Sequence, residues 1–286
     1  MIRIVGLIFL FIFTAASPAI GADIFCVQDS KQIALDNEYR EKGISSERSL
    51  CRLVAISGPI LEGDYKKLIS IYNARVRPNI FTLHSPGGSV AEALKIGRFF
   101  RKYLIAVIAP NDGSDDDQIS NIHGRCASAC ALIFFGSVDR AGEVGLHRPW
   151  TNDPKFAQLS PEMAANQHRE MIGLVTDYLR EMEAPESIIE LMTSTGPSEI
   201  SWVNTTDMAK LKYPPSFIDW IRATCGDDPS QDYFTLKVAL GMLHRRVTSE
   251  EMRALRDLEG RRNVWNTCHL EKIDHYQAQL SAPSIK

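Results

Sequence analysis

Hydrophobic and polar residues alternate in blocks through the first half of the chain, and the blocks predict strands and helices in turn. Short apolar runs predict buried strands at residues 53–56, 80–83 and 104–109. Between these runs, apolar residues recur at helical spacing over 64–73 and again from Val90 onward. Because such alternation joins most simply into a parallel sheet with right-handed crossovers, we expect an α/β domain.

Helical periodicity dominates the second half of the chain. Residues 161–182 form a long amphipathic pattern, and shorter helical stretches follow at 185–192 and 233–243. The tetrad Thr248-Ser249-Glu250-Glu251 is a capping-box pattern, which predicts the start of a last helix.

The first residues are typical of a secretory signal peptide. Arg3 precedes an apolar run over 4–16, and the small residues that follow predict cleavage after Ala22. An uncleaved anchor is the alternative, but the run is shorter than the ~20 apolar residues of a spanning helix. We therefore expect a periplasmic or secreted protein.

These patterns divide the remaining chain into three parts. An N-terminal extension at 23–50 precedes the α/β domain at 51–213, and a helical C-terminal region occupies 214–286. The length of 286 residues fits one domain with a small appendage. The formal net charge of −3 argues against nucleic acid as a partner, because phosphate binding needs clustered Lys and Arg.

All of the cysteines follow the predicted leader: Cys26, Cys51, Cys126, Cys130, Cys225 and Cys268. An even number of cysteines in an oxidising compartment predicts disulfides, and their order suggests three local pairs among the about 15 possible pairings. Cys126 and Cys130 are four apart, which on a helix is within disulfide distance. A zinc site that adds His123 is the alternative, although exported dithiols tend to oxidise. No cofactor is otherwise expected.

Three separate segments carry residues suited to nucleophilic catalysis. The sequence SPGGSV at 85–90 joins a strand to a helix, and its glycines allow a backbone to approach a ligand. Ser128 opens an apolar helix, where it is either a nucleophile or an ordinary helix cap. His147 follows a short predicted strand at 143–146 and could act as a general base.

In this order, the segments resemble the Clp-type serine protease family of the crotonase-like superfamily. The resemblance covers about residues 53–211 and rests on SPGGSV, on Ala127-Ser128-Ala129 and on His147-Arg148-Pro149. It implies a spiral of ββα units, followed here by the helical appendage. It also implies that Ser128 is the nucleophile and His147 the general base, with an oxyanion hole formed by the amides of Gly87 or Gly88 and Ala129.

The third catalytic residue of that family has no clear match. Counting back from Trp202 places Ile200 at the position of the acid, so the adjacent Glu199 is the candidate and Asp207 the alternative. The acidic loop at 110–120 is also longer than is usual in the family. Because an exported chain meets no ATP-driven partner, no ATPase is expected, whereas a homo-oligomer remains open.

The resemblance implies an exported serine hydrolase, a peptidase acting on a peptide or protein substrate. A non-catalytic binding or scaffolding protein on the same fold is the alternative, favoured by the poorly matched acid and the helical appendage. An acyl-CoA enzyme is a third hypothesis, weakened because coenzyme A is not expected outside the cytoplasm.

Overall fold

The computed structural model of the protein describes residues 21–27, 53–74, 78–109, 125–151, 153–203, 211, 213–242 and 245–281. Its strands are β1 (Asp23–Cys26), β2 (Leu53–Ser57), β3 (Ile80–His84), β4 (Ala106–Ala109), β5 (Cys126–Ala127), β6 (Asp139–Gly142), β7 (Val144–Leu146) and β8 (Ser201–Trp202). Its helices are α1 (Asp64–Ala74), α2 (Val90–Lys102), α3 (Ala129–Gly136), α4 (Pro161–Glu181), α5 (Glu186–Ser194), α6 (Pro215–Cys225), α7 (Ser230–Gly241) and α8 (Ser249–Ser281).

The main sheet has five strands in the order β1-β2-β3-β4-β6. Strands β2, β3, β4 and β6 run parallel, as the alternation of strands and helices predicts. At one edge β1 pairs antiparallel with β2, so the stretch predicted as an N-terminal extension begins with a strand of this sheet. The mixed α/β class is therefore confirmed.

A smaller sheet of three strands positions the candidate site. Its order is β5-β7-β8, with β5 parallel and β8 antiparallel to β7. Strand β5 leads directly into α3, a helix that is buried along its whole length. The residue between them is Ser128, so this short sheet sets where Ser128 stands.

Helix α3 packs against α2 at close backbone distance. A Cβ placed on Gly136 would lie 2.4 Å from the Cα atom of Gly97, so neither position has room for a side chain. Tyr178 of α4 closes the same contact by donating its hydroxyl to the Leu132 carbonyl at 2.8 Å. Burial raises the pKa of Tyr178, so the phenol stays protonated and remains a donor.

Two arginines cap the far end of α3. Arg101 donates to the carbonyl oxygens of Gly136 and Phe135 at 3.1 and 3.2 Å, and Arg140 donates to those of Phe135 and Ser137 at 2.9 and 3.1 Å. Burial and the neighbouring Arg101 charge lower the pKa of Arg140 to about 9. The terminal carbonyl groups of a wholly apolar helix are thereby satisfied.

The C-terminal helices build a second hydrophobic cluster beside the sheet. Phe217 and Ile221 of α6 pack with Trp265 and Ile273 of α8, and Val138 connects this cluster to the α/β domain. The predicted capping box is confirmed at the start of α8, where Thr248 and Glu251 exchange hydrogen bonds. No helix in the described ranges is both long and apolar enough to cross a membrane.

Candidate functional site

Ser128 has a strained backbone at the turn between β5 and α3. Its φ and ψ angles are 59° and −127°, a positive φ that non-glycine residues rarely adopt. Its side chain makes no capping hydrogen bond, so the interpretation as an ordinary N-cap serine is not supported. A sharp strand-to-helix turn that presents a half-buried serine is the arrangement of a nucleophile elbow.

The strained turn is held from three sides. The Ser128 amide donates to the Gly145 carbonyl at 2.9 Å, and the Ala127 amide donates to the Ser85 carbonyl at 3.0 Å. A disulfide joins Cys126 to Cys130, with 5.3 Å between their Cα atoms, and therefore bridges the turn itself. These contacts fix the position of the serine without using its hydroxyl.

The glycine turn after β3 lies directly against the turn that contains Ser128. Gly87 has a φ of 102°, and a Cβ there would stand 2.6 Å from the Ser128 Cβ and 2.9 Å from the Ala129 nitrogen. Two of the three predicted segments are thus brought together by the fold.

The amides proposed for an oxyanion hole differ in whether they already donate a hydrogen bond. The Ala129 amide opens α3 and has no partner within that helix. The Gly87 amide donates to the Ser85 hydroxyl oxygen at 3.1 Å. Within the described residues the Gly88 amide donates to no hydrogen bond, so it is the more available of the two glycine amides.

His147 follows β7, next to the strand that leads to Ser128. Ala127 is paired with Gly145, so His147 lies two residues beyond the partner of the residue preceding Ser128. The His147 ring is half-buried, and its Nδ1 lies 2.9 Å from the Arg148 carbonyl oxygen. A carbonyl only accepts hydrogen bonds, so Nδ1 carries the proton and Nε2 of the neutral ring is free to accept one.

The carbonyl that orients His147 is itself fixed. The Arg148 amide donates to the Thr195 carbonyl at 3.0 Å. The Thr195 hydroxyl lies 2.7 Å from the Leu191 carbonyl oxygen and 2.8 Å from the Ser201 hydroxyl oxygen. A main-chain carbonyl thus occupies the place beside Nδ1 that a carboxylate holds in a catalytic triad.

No hydrogen bond joins the His147 ring to the Ser128 hydroxyl in the described part of the chain. Contacts of this kind are often long in a ligand-free site and shorten when substrate binds. The Ser128 amide donates to the Gly145 carbonyl, two residues before His147, so the two side chains come from neighbouring parts of the small sheet.

Glu199, the candidate acid, is exposed, and its carboxylate lies beside Gly196. The pairing of β7 with β8 ends at Leu146 and Ser201, so His147 and Ile200 both lie just outside the small sheet. The role of Glu199 stays a prediction, and Asp207 lies outside the described residues. Sequence reasoning missed the Arg148 carbonyl because a main-chain group leaves no signal in residue type.

Two of the predicted disulfides are confirmed. Cys126 is joined to Cys130, and Cys225 is joined to Cys268 with 5.8 Å between the Cα atoms. Cys26 is also disulfide-bonded, but its predicted partner Cys51 lies outside the described residues. These bonds fit an extracellular or periplasmic protein.

The disulfide leaves Cys126 and Cys130 without thiolates for the alternative zinc site. His123, its third proposed ligand, lies outside the described residues. Among the residues that the structure covers, no cluster of three or more His, Cys, Asp or Glu could hold a metal ion.

No protein-family model matches the sequence, and no curated protein matches it either. Among solved structures, the chain is similar to that of a ClpP1 point mutant from Listeria monocytogenes, with a TM-score of 0.38 and 17% sequence identity. The alignment covers 56% of this chain and 87% of that one. The low TM-score and sequence identity carry no conclusion about activity.

Proposed function

We propose that the protein is an exported serine hydrolase that cleaves peptide bonds. The observation that carries this proposal is the conformation of Ser128 at the start of a buried helix, where the residue is strained and its hydroxyl makes no hydrogen bond to the described residues. Strain of this kind persists where the surroundings enforce it, and here a disulfide and two main-chain hydrogen bonds do so.

In the proposed reaction, the Ser128 Oγ attacks the substrate carbonyl carbon while Nε2 of His147 takes the hydroxyl proton. The amides of Ala129 and Gly88, or of Gly87, donate to the oxyanion that forms. His147 then protonates the leaving amine as the carbon–nitrogen bond breaks. Water then takes the place of the departed amine and attacks the ester carbon as His147 accepts its proton. His147 returns that proton to the Ser128 Oγ as the carbon–oxygen bond breaks, which releases a carboxylic acid and restores the hydroxyl.

The Arg148 carbonyl supports this role for His147. Its hydrogen bond fixes the ring as the Nδ1–H tautomer, which leaves the Nε2 lone pair free. A general base needs such a lone pair to accept the hydroxyl proton. A neutral carbonyl stabilises the imidazolium less than a carboxylate does, so we expect slower catalysis than with a complete triad. Glu199 could add that charge only if its side chain moves to the ring.

The fold and location are part of the same proposal. The sequential order of the parallel strands supports a ClpP/crotonase-like spiral of ββα units, with 214–286 as a helical appendage. The two disulfides support export. A peptide or protein is the proposed substrate, and assembly into a homo-oligomer stays a prediction.

The test is labelling with a fluorophosphonate probe, which reacts with activated serines. We expect the probe to modify Ser128 in the wild type, and to modify neither Ser128→Ala nor His147→Ala. Ser194→Ala is a matched control, since it removes an exposed helical serine and should label like the wild type. Equal labelling of the wild type and Ser128→Ala would refute the assignment.

A non-catalytic binding protein is the second candidate. It is favoured by the main-chain carbonyl beside His147 Nδ1 and, within the described residues, by the absence of a Ser128–His147 hydrogen bond. It predicts no labelling of a folded wild-type chain. Circular dichroism on the same sample would show whether the unlabelled protein is folded, which separates a folded non-catalytic protein from one that fails to label because it is unfolded.

A further inference from the structure

Ala22 is built into the core of the domain. It is fully buried and belongs to the main hydrophobic cluster. Its amide nitrogen donates to the Asp64 carboxylate at 3.0 Å, and its carbonyl oxygen accepts from Lys67 Nζ at 2.5 Å. A residue held in this way belongs to the folded protein rather than to a segment that is removed.

The Asp64 carboxylate that receives this amide is buried, with 4% of the residue exposed. Its second hydrogen bond comes from the Leu61 amide at 2.8 Å. Within the part of the chain that the structure describes, no side-chain cation forms an ion pair with Asp64. A buried carboxylate without a cation is unfavourable, although its place at the start of α1 offsets part of the cost.

We propose that the leader is removed by hydrolysis of the Gly21–Ala22 peptide bond and that the freed Ala22 ammonium is the cation that pairs with Asp64. Water adds across the bond, so the leader leaves with the Gly21 carboxylate and Ala22 keeps an amine that is protonated at neutral pH. This inference rests on the proposed export and goes beyond the catalytic proposal.

The space around Asp64 suits an ammonium at this position. A Cβ on Gly21 would lie 2.5 Å from the Asp64 Oδ1, so the Gly21 backbone fills the volume beside that oxygen. Once the bond is cut, the additional N–H groups of Ala22 can occupy this volume. The single amide hydrogen bond then becomes a charge-assisted one.

The residues that precede the Gly21–Ala22 bond also fit cleavage at that bond. Cleavage before Ala22 puts the small residues Ala19 and Gly21 at the third and first places preceding the cut. Cleavage after Ala22, the expectation from sequence, would place Ile20 at the third position and would remove a fully buried residue. It would also take away one of the two donors that bind Asp64.

The first test is the N-terminus of the full chain, expressed with its leader in an exporting bacterium. Intact mass and N-terminal peptide sequencing should find a mature chain that begins at Ala22. A start at Asp23 or at any other residue overturns this proposal and leaves export and catalysis standing. An uncut chain also overturns this proposal, and cell fractionation then decides whether that chain is exported with its leader as an anchor.

The second test is the reactivity of the α-amine towards an amine-labelling reagent near pH 7. In the folded mature chain, we expect labelling about tenfold or more slower than after unfolding in urea, because the amine is buried. Asp64→Asn should remove most of this protection, whereas Asp177→Asn, at an exposed helical site, should keep it. Equal labelling of folded and unfolded wild type refutes the pairing, even if Asp64→Asn does not fold.

Discussion

Gly87 stands in van der Waals contact with Ser128, so close that a single added methyl group would approach the Ser128 Cβ to 2.6 Å. The turn after β3 and the turn before α3 are therefore one unit, although the two residues are separated by 41 positions (128 − 87). Whatever changes the glycine turn also displaces the serine.

Gly87→Ala should abolish probe labelling and lower the free energy of unfolding by about 1–3 kcal/mol. The new methyl group meets Ser128 and the Ala129 nitrogen, and φ at residue 87 is 102°. Gly173→Ala is the matched control. It adds the same group to α4 with nothing within 4 Å, and should stabilise by about 0.5–1 kcal/mol without changing labelling. Normal labelling of Gly87→Ala would contradict the contact.

Glu199→Ala should lower the probe-labelling rate by less than about tenfold, because the partner of His147 Nδ1 is the Arg148 carbonyl. If Glu199 orients His147 in the active state, the loss should approach the roughly 10⁴-fold seen when a triad acid is replaced. Second-order labelling rates of wild type, Glu199→Ala and Glu199→Gln distinguish the two cases. A large loss in both variants would restore Glu199 as the acid.

Replacing Cys126 and Cys130 together by alanine should slow labelling of Ser128, because the bridge spans the serine's own turn. The loop is short, so the loss of chain-entropy stabilisation is only about 2 kcal/mol. The paired control, Cys225→Ala with Cys268→Ala, opens a 43-residue separation. It should cost about 4 kcal/mol by the same relation and leave the labelling rate unchanged below the melting transition. Identical rates in both double variants would remove the link between this disulfide and reactivity.

The start of α8 should lose stability in acid. Hydrogen bonds from Arg245, then from the Thr248 amide and hydroxyl, lower the pKa of Glu251 to about 2. Because the folded value lies below the ordinary one, the contribution is present above about pH 4.5 and is lost as pH falls towards 2. Helicity followed by circular dichroism across this range should change less in Glu251→Gln than in Glu250→Gln, which removes the neighbouring charge. Equal acid sensitivity of the two variants would contradict this.

The regular α/β elements could be predicted from the sequence because their signals are local. The apolar runs at β2 and β3 and the periodicity of α1 and α4 appear in the structure within about two residues of the predicted ends. β6 was missed because its sequence, DRAG, lacks the residues typical of strands. β1 was missed because its four residues, DIFC, are too short a run to give a local signal, and they form a strand by pairing with the distant β2. α6 was missed because it begins next to two prolines.

The sequence could supply candidate side chains for the site but not their backbone setting. Ser128, His147 and the glycines are candidates by residue type and order, and their roles stay predictions. The positive φ of Ser128 and the engagement of the Gly87 amide depend on contacts between distant segments. The Arg148 carbonyl is common to every residue type, so nothing in the sequence could mark it.

The four residues of β1 also cover the edge of β2, where a strand of another copy could otherwise pair. By lying antiparallel along β2, they pair with the backbone groups of a strand that would otherwise face solvent at the margin of the sheet. An uncovered strand of that kind is a template for aggregation, whereas so short a replacement offers little length for another chain to join. Recombinant forms trimmed beyond Cys26 would therefore be prone to precipitate, and those that retain the start of β1 would stay dispersed.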